Sequence, residues 1–198
     1  MESPPRSQKE PAGRRRRGPK KVTPQHLENV ALHYLARFAS SAENLRRVLM
    51  RRVETSARHH GTEPEEGAHW IDDLIRRYQQ AGLLDDGAYA EARAADMLRR
   101  GVPLKGIRFR LARKGVAGAD IDKALGMLAE DASEPDLAAA VALARRRRLG
   151  PFAPPAARAE RRGRDLAALA RAGFDYDTAR RVIDAEDVDD LAGPPASG

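Results

Sequence analysis

Glycine interrupts amphipathic helical patterns at short intervals along most of this chain. Between Gly82 and Ala129 apolar residues recur every three or four positions, and Gly101 and Gly115 divide the stretch into three segments. Glycine commonly ends helices, and segments this short are stable only when they pack against neighbours. No segment shows the strict apolar–polar alternation of a strand. We therefore predict an all-α fold of short, mutually packed helices.

Parts of this stretch recur upstream and downstream at fixed offsets. A first offset superimposes Arg51 on Arg113, together with several apolar core positions. A second, slightly shorter offset superimposes Arg113 on Arg171 and Gly115 on Gly173. Self-similarity at such spacings is typical of helical repeat proteins, in which each unit must stack on its neighbours to bury its apolar face.

The predicted organisation is three tandem three-helix units stacked into an elongated, curved array. Helix one is predicted to begin at Thr23 as N-cap, and Asp85 or Asp86 is predicted to cap the first helix of the second unit. The predicted segments are a disordered basic arm (1–22), unit 1 (23–82) with a polar insertion near 55–67, unit 2 (83–131), unit 3 (133–186) and a disordered tail (187–198).

Composition narrows the classes of function. The formal net charge of +7 favours a polyanionic partner, either nucleic acid or an acidic protein surface, although solvated helix faces would also account for it. The chain has no cysteine, which excludes disulfides and thiol chemistry. No apolar run is long enough to span a bilayer. We expect a cytoplasmic monomer without cofactors.

The basic residues are concentrated in two stretches. Eight lie between Arg93 and Lys114 with Asp96 as the single acid, and eight lie between Arg145 and Arg164 with Glu160 as the single acid. Such clusters are typical of surfaces that contact phosphates or acidic side chains. The candidate binding residues are Arg93, Arg99, Arg100, Lys105, Arg108, Phe109, Arg110, Arg113, Lys114, Arg145, Arg146, Arg147, Arg148, Arg161 and Arg162.

Phe109 and the run Arg145–Arg148 each have two possible explanations. Phe109 lies among cations on the polar side of its predicted helix, where it would either stack on a nucleobase or pack against the next unit. The run Arg145–Arg148 would either contact phosphates or complement the dipole at the C-terminus of its helix. The sequence leaves both pairs of alternatives open.

Metal binding and catalysis have little support. His59, His60 and His69 lie near several glutamates, but in a polar segment broken by proline and glycine. The pairs Asp72–Asp73 and Asp85–Asp86 are predicted to lie at helix starts, where capping explains carboxylates. No phosphate-binding loop, dinucleotide fingerprint or nucleophile elbow is present. We therefore predict neither a metal site nor an enzyme.

The stretch Leu83–Val116 resembles the central signature of the RecX regulatory proteins. The matching elements are Leu84-Asp85-Asp86, Tyr89-Ala90, the basic segment Arg93 to Arg100, Gly101, Ile107 and Lys114-Gly115-Val116. The resemblance implies three stacked three-helix units and a modulator, usually negative, of the RecA recombinase, lodged in the groove of the RecA–single-stranded DNA filament. The alternative is a generic helical protein that binds single-stranded or duplex nucleic acid without RecA specificity.

Overall fold

The computed structural model describes residues 18–191, and within them it contains α-helices, two 3-10 turns and no strand. The all-α prediction is confirmed. The helices are α1 (Pro24–Leu35), α2 (Ala42–His60), α3 (Pro64–Gln80), α4 (Asp86–Arg99), α5 (Leu104–Arg113), α6 (Gly118–Asp131), α7 (Pro135–Arg147), α8 (Pro155–Ala172) and α9 (Tyr176–Ile183). The 3-10 turns cover Gly150–Phe152 and Asp189–Leu191.

Three thin cores follow one another along the chain, one for each set of three helices. Unit 1 (α1–α3) is centred on Leu45 and Leu49, unit 2 (α4–α6) on Ile107 and Leu111, and unit 3 (α7–α9) on residues that include Leu169. Alanines such as Ala90, Ala94, Ala139 and Ala140 are also buried. Alanine side chains let helices approach closely but add little apolar surface. Each unit therefore buries little apolar surface by itself and depends on its neighbours.

Local capping residues explain where several helices begin. The Thr23 hydroxyl accepts a hydrogen bond from the His26 amide at 3.2 Å, and the Asp85 carboxylate accepts one from the Ala88 amide at 2.9 Å. Both were predicted as caps, and Asp85 rather than Asp86 holds the position at α4. Such caps pair amides that the helix itself leaves without partners.

Asp86 and Asp136 instead cap helices of the preceding unit. Asp86 Oδ1 accepts a hydrogen bond from the amide of Ala42, the first residue of α2, at 2.8 Å. Asp136 Oδ1 does the same for Leu104, the first residue of α5, at 2.7 Å. The first offset of the repeat relates Ala42 to Leu104, so the two capped amides occupy equivalent positions of units 1 and 2. In unit 3 the equivalent helix begins with Pro155, which has no amide hydrogen to be capped.

The structure differs from the predicted bounds of the arm and of the tail. Val22, assigned to the basic arm, is buried in the core of unit 1, and its amide donates to Ser56 Oγ at 2.9 Å. The segment near 55–67, which the sequence predicts to be a polar insertion, is largely helical, because α2 continues to His60 and α3 begins at Pro64. The predicted tail 187–198 includes the 3-10 turn Asp189–Leu191. Residues 1–17 of the arm and residues 192–198 of the tail lie outside the described residues.

One capping assignment is also wrong. Asp72 and Asp73 lie in the middle of α3, not at a helix start. Asp72 forms an ion pair with Arg46 of α2 at 2.7 Å, and Asp73 forms one with Arg76 at 2.9 Å. Ion pairing on the helix surface therefore accounts for these carboxylates.

Candidate polyanion-binding groove

All three units contribute side chains to one open groove of about 910 Å³. Among the described residues, ten of the side chains that line the groove are basic, and Asp96 is the one acidic residue of the lining. The cations come from α2, α4, α5, α7 and α8 and from the turns that follow them. They are Arg47, Arg51, Arg93, Arg100, Arg110, Arg113, Lys114, Arg146, Arg147 and Arg171. A concave surface with so many charges of one sign concentrates a positive potential and attracts polyanions.

The repeat places one equivalent arginine from each unit in this groove. Arg51, Arg113 and Arg171 are related by the first and second offsets, and all three line it. Arg51 lies in the middle of α2, whereas Arg113 and Arg171 lie at the C-terminal ends of α5 and α8. These three helices are the second helix of each unit. Stacking equivalent helices therefore brings together arginines that lie far apart in the sequence.

Contacts between units hold several groove side chains in place. Arg47 Nη1 donates to the carbonyl oxygen of Arg113 at 2.7 Å, and Lys114 Nζ donates to Asn44 Oδ1 at 3.0 Å. Arg146 Nη1 donates to the carbonyl oxygen of Arg100 at 2.7 Å. These bonds join units 1 and 2 and units 2 and 3 along the groove.

The groove's carboxylate neutralises only part of its charge. Asp96 lies 3.5 Å from Arg93 and 3.1 Å from Arg100, and also 3.8 Å from Arg99 outside the groove. By contrast, the guanidinium groups of four groove arginines make no ion pair, no hydrogen bond and no cation–π contact within residues 18–191. These four are Arg51, Arg110, Arg147 and Arg171. Their guanidinium groups are available to a partner without loss of a contact within the described fold.

The structure brings seven of the candidate residues together in the groove. They are Arg93, Arg100, Arg110, Arg113, Lys114, Arg146 and Arg147. The remaining eight lie outside its lining, namely Arg99, Lys105, Arg108, Phe109, Arg145, Arg148, Arg161 and Arg162. Clustering in the sequence therefore identified part of the groove but could not separate the faces of one helix.

Several of the outlying cations already have partners in the protein. Arg108 pairs with Asp122 at 2.6 Å, and Arg162 makes two hydrogen bonds to the Asp184 carboxylate at 2.7 and 2.8 Å. Arg161 is partly buried, 3.8 Å from the buried carboxylate of Asp165. The Arg145 guanidinium lies over the Phe152 ring, 5.4 Å from its centroid. Part of the run Arg145–Arg148 thus packs within unit 3, while its middle residues line the groove.

Sequence reasoning missed three groove arginines. Arg47 and Arg51, one helical turn apart on α2, lie outside both basic stretches, and so does Arg171 at the end of α8. The signal that could have found Arg51 and Arg171 was the repeat itself, because both are equivalent to Arg113.

The cations that line the groove suit it to binding anions. In the described part of the chain, its lining residues include no histidine, serine or threonine. Residues 18–191 contain no cluster of three or more histidine or carboxylate side chains arranged to hold a metal ion. No helix among them is both long and apolar enough to cross a bilayer.

The fold and the groove together define an all-α repeat protein with a cationic surface shared by its three units. Residues 85–125 match the family description "RecX, second three-helix domain". The chain is 44% identical to a regulatory protein RecX of Myxococcus xanthus, over 88% of this chain and 94% of that one. It is 33% identical to a regulatory protein RecX of Halorhodospira halophila, over 85% and 92% of the two chains. The chain therefore belongs to the RecX regulatory protein family.

Solved structures share the fold. The crystal structure of RecX from Lactobacillus salivarius aligns with a TM-score of 0.55 at 18% identity, over 82% of this chain and 96% of that one. A second crystal structure of a regulatory protein RecX gives a TM-score of 0.54 at 21% identity, over 82% and 72%. At these identities the likeness concerns the fold alone, and it confirms the all-α repeat architecture.

Proposed function

We propose that this protein binds the RecA–single-stranded DNA filament through its cationic groove and restrains the recombinase, ATPase and co-protease activities of RecA. This role belongs to DNA repair and the SOS response, and it requires no catalysis by the protein itself. Family membership supports RecA as the partner. The observation that carries the groove as the contact surface is the alignment of Arg51, Arg113 and Arg171, one from each unit, along one concave face.

The proposed mechanism is the summation of weak contacts. Each unit presents a few cations to the phosphates and acidic side chains of a helical filament, and the rigid joints between units keep the cations in register. Once one unit is bound, the others act at high effective concentration, so affinity exceeds that of any single contact. A monomer in the cytoplasm is sufficient for this mode of binding.

The alternative is a polyanion-binding protein without RecA specificity. The groove's excess of unpaired arginine favours it, because a cationic surface attracts bare nucleic acid as well as a nucleoprotein filament. Binding to single-stranded DNA, duplex DNA and RecA-coated single strands would separate the two. Equal affinity for all three would contradict RecA specificity.

The test of the proposal uses two matched variants. The groove variant replaces Arg51, Arg110, Arg147 and Arg171 with glutamine, which removes four charges that make no contact within residues 18–191. The control variant makes the same change at four exposed cations outside the groove lining, which likewise make no side-chain ion pair or hydrogen bond within residues 18–191: Lys21, Arg52, Arg58 and Arg164.

The readout is RecA-dependent ATP hydrolysis on single-stranded DNA. We expect the unmodified protein and the control variant to suppress hydrolysis equally, and the groove variant to have little effect at the same concentration. Suppression by the groove variant at full strength would contradict the groove as the contact surface. Absence of any effect of the unmodified protein would contradict the role as a whole.

A further inference from the structure

Phe109 stands exposed beside the cationic groove. Its side chain is 62% exposed, while the core of unit 2 is already filled by Ile107 and Leu111 on the same helix. Packing against the next unit, the alternative open at the level of sequence, therefore does not occur. Arg110, its immediate neighbour, and Arg113, one turn further along α5, both line the groove. Phe109 thus lies at the groove's rim.

The repeat does not require an aromatic residue at this position. The first offset relates Phe109 to Arg47 in unit 1, and the second relates it to Ala167 in unit 3. Arg47 lines the groove, so this position of the repeat faces it in the first unit. An aromatic residue therefore occurs at this position only in the middle unit, and the fold does not need one there.

The surroundings of Phe109 favour one kind of ligand. The guanidinium carbon of Arg113 lies 5.8 Å from the ring centroid, and the neighbouring side chains Lys105 and Arg108 are exposed and charged. A protein partner would bind Phe109 tightly only in an apolar contact that excludes water, and a single ring among cations does not offer one. A flat ring flanked by cations suits an unpaired nucleobase, which stacks on the ring while its phosphates meet the cations.

We propose that Phe109 stacks on a nucleobase of a single strand whose phosphates lie on Arg110 and Arg113. This inference rests on the proposed function and deepens it, because it assigns a direct contact with single-stranded nucleic acid to the middle unit. Bases in a duplex are paired and stacked on one another, so their faces are closed to Phe109. The protein accordingly prefers single strands to duplexes of the same charge.

The test compares three substitutions at Phe109 and two strands. The variants are Phe109→Ala, Phe109→Leu and Phe109→Trp in the full chain. The probes are an oligothymidylate and an abasic strand with the same number of phosphates. We expect Phe109→Ala and Phe109→Leu to weaken oligothymidylate binding roughly 5- to 150-fold, the range for loss of one stacked base, and Phe109→Trp to retain it. None should change binding of the abasic strand or its salt dependence.

Other outcomes would overturn the inference. Retained binding of oligothymidylate in Phe109→Leu would indicate an apolar contact that needs no aromatic ring, rather than stacking. Equal losses on both strands, unchanged binding in Phe109→Ala, or no binding of oligothymidylate by the unmodified protein would each exclude stacking. Because Phe109 is exposed, all variants should unfold at the same temperature as the unmodified protein.

The two proposals fail in different ways. If the groove variant loses filament binding while Phe109→Ala keeps its affinity for oligothymidylate, the stacking inference is wrong and the proposed function stands. If Phe109→Ala weakens oligothymidylate binding while the groove variant still suppresses RecA, the stacking inference stands and the groove is not the surface that contacts the RecA filament.

Discussion

Replacing Gly101 with alanine measures how closely units 2 and 3 are joined. Gly101 follows α4, and a Cβ atom added there would lie 2.7 Å from Leu143 Cβ, 2.8 Å from the Leu143 amide nitrogen and 2.9 Å from the Ala139 carbonyl oxygen. Two of these atoms belong to the backbone of α7, so relief of the clash requires the helix to move. Gly101 also has a φ of +76°, a conformation that alanine adopts with strain.

Gly82 provides the matched control. It follows α3 with a φ of +70°, and an added Cβ atom would meet nothing within 4 Å. Gly82→Ala therefore carries only the strain of the left-handed conformation, about 1–2 kcal/mol. Gly101→Ala carries the same strain plus overpacking against α7, which costs a further ~1–3 kcal/mol. The difference between the two variants isolates the joint.

The assay is thermal and urea unfolding followed by circular dichroism. For a chain of this length each kcal/mol lowers the melting temperature by about 2–4 °C, so Gly101→Ala should melt measurably below Gly82→Ala. Equal melting temperatures would refute the close joint between α4 and α7. The Arg146–Arg100 hydrogen bond crosses this joint, so Gly101→Ala should also weaken filament binding, whereas Gly82→Ala should leave it unchanged.

Further predictions concern the aspartates. Asp136→Ala, which removes the cap that unit 3 places on α5, should lower the free energy of unfolding by about 1 kcal/mol in urea titrations, and Asp136→Asn should restore most of it. Burial raises the pKa of Asp86 in the folded protein above its value of about 4 in the unfolded chain. Above the raised pKa the buried carboxylate is charged, which lowers the free energy of unfolding. This loss of stability should disappear as the pH falls from the raised pKa to the unfolded pKa. Asp86→Asn should remove this component from the pH dependence of the melting temperature. The hydrogen bonds from Arg162 lower the pKa of Asp184 in the folded protein. The charged carboxylate should therefore contribute to the free energy of unfolding above its unfolded pKa, and this contribution should be lost as the pH falls through the lowered pKa. Asp184→Asn should abolish that loss.

Helix positions were largely predictable because their signals are local. Thr23 and Asp85 precede helices, and Gly101, Gly115 and Gly173 follow them, as expected from capping preferences. These residues act on amides and carbonyls within a few positions of themselves. A single sequence is sufficient to recognise such signals.

The segment near 55–67 shows where local reading failed. Its polar composition indicated an insertion, yet Gly61 ends α2 in a left-handed conformation and Pro64 opens α3 shortly afterwards. Glu65 and Glu66 lie in the first turn of α3, where negative charge complements the helix dipole. A stop signal and a start signal this close together look like one polar loop in the sequence.

The joints and the groove could not be predicted from local pattern. The carboxylates of Asp86 and Asp136 act on amides in the preceding unit, so their partners depend on how the units stack. Arg51 and Arg171 join the groove for the same reason, although their equivalence to Arg113 was visible in the repeat offsets. Long-range stacking, rather than charge density along the sequence, determines which cations face one another.

We propose that a groove shared by all three units binds the RecA–single-stranded DNA filament. The most direct test is the salt dependence of filament binding by the unmodified protein, the groove variant and the control variant. Each lost contact with a single-strand phosphate lowers the slope of log K against log salt concentration by about 0.7, so removal of four contacts should lower it by about 3. We expect that lower slope for the groove variant and the unmodified slope for the control variant. Identical slopes for all three proteins would contradict it.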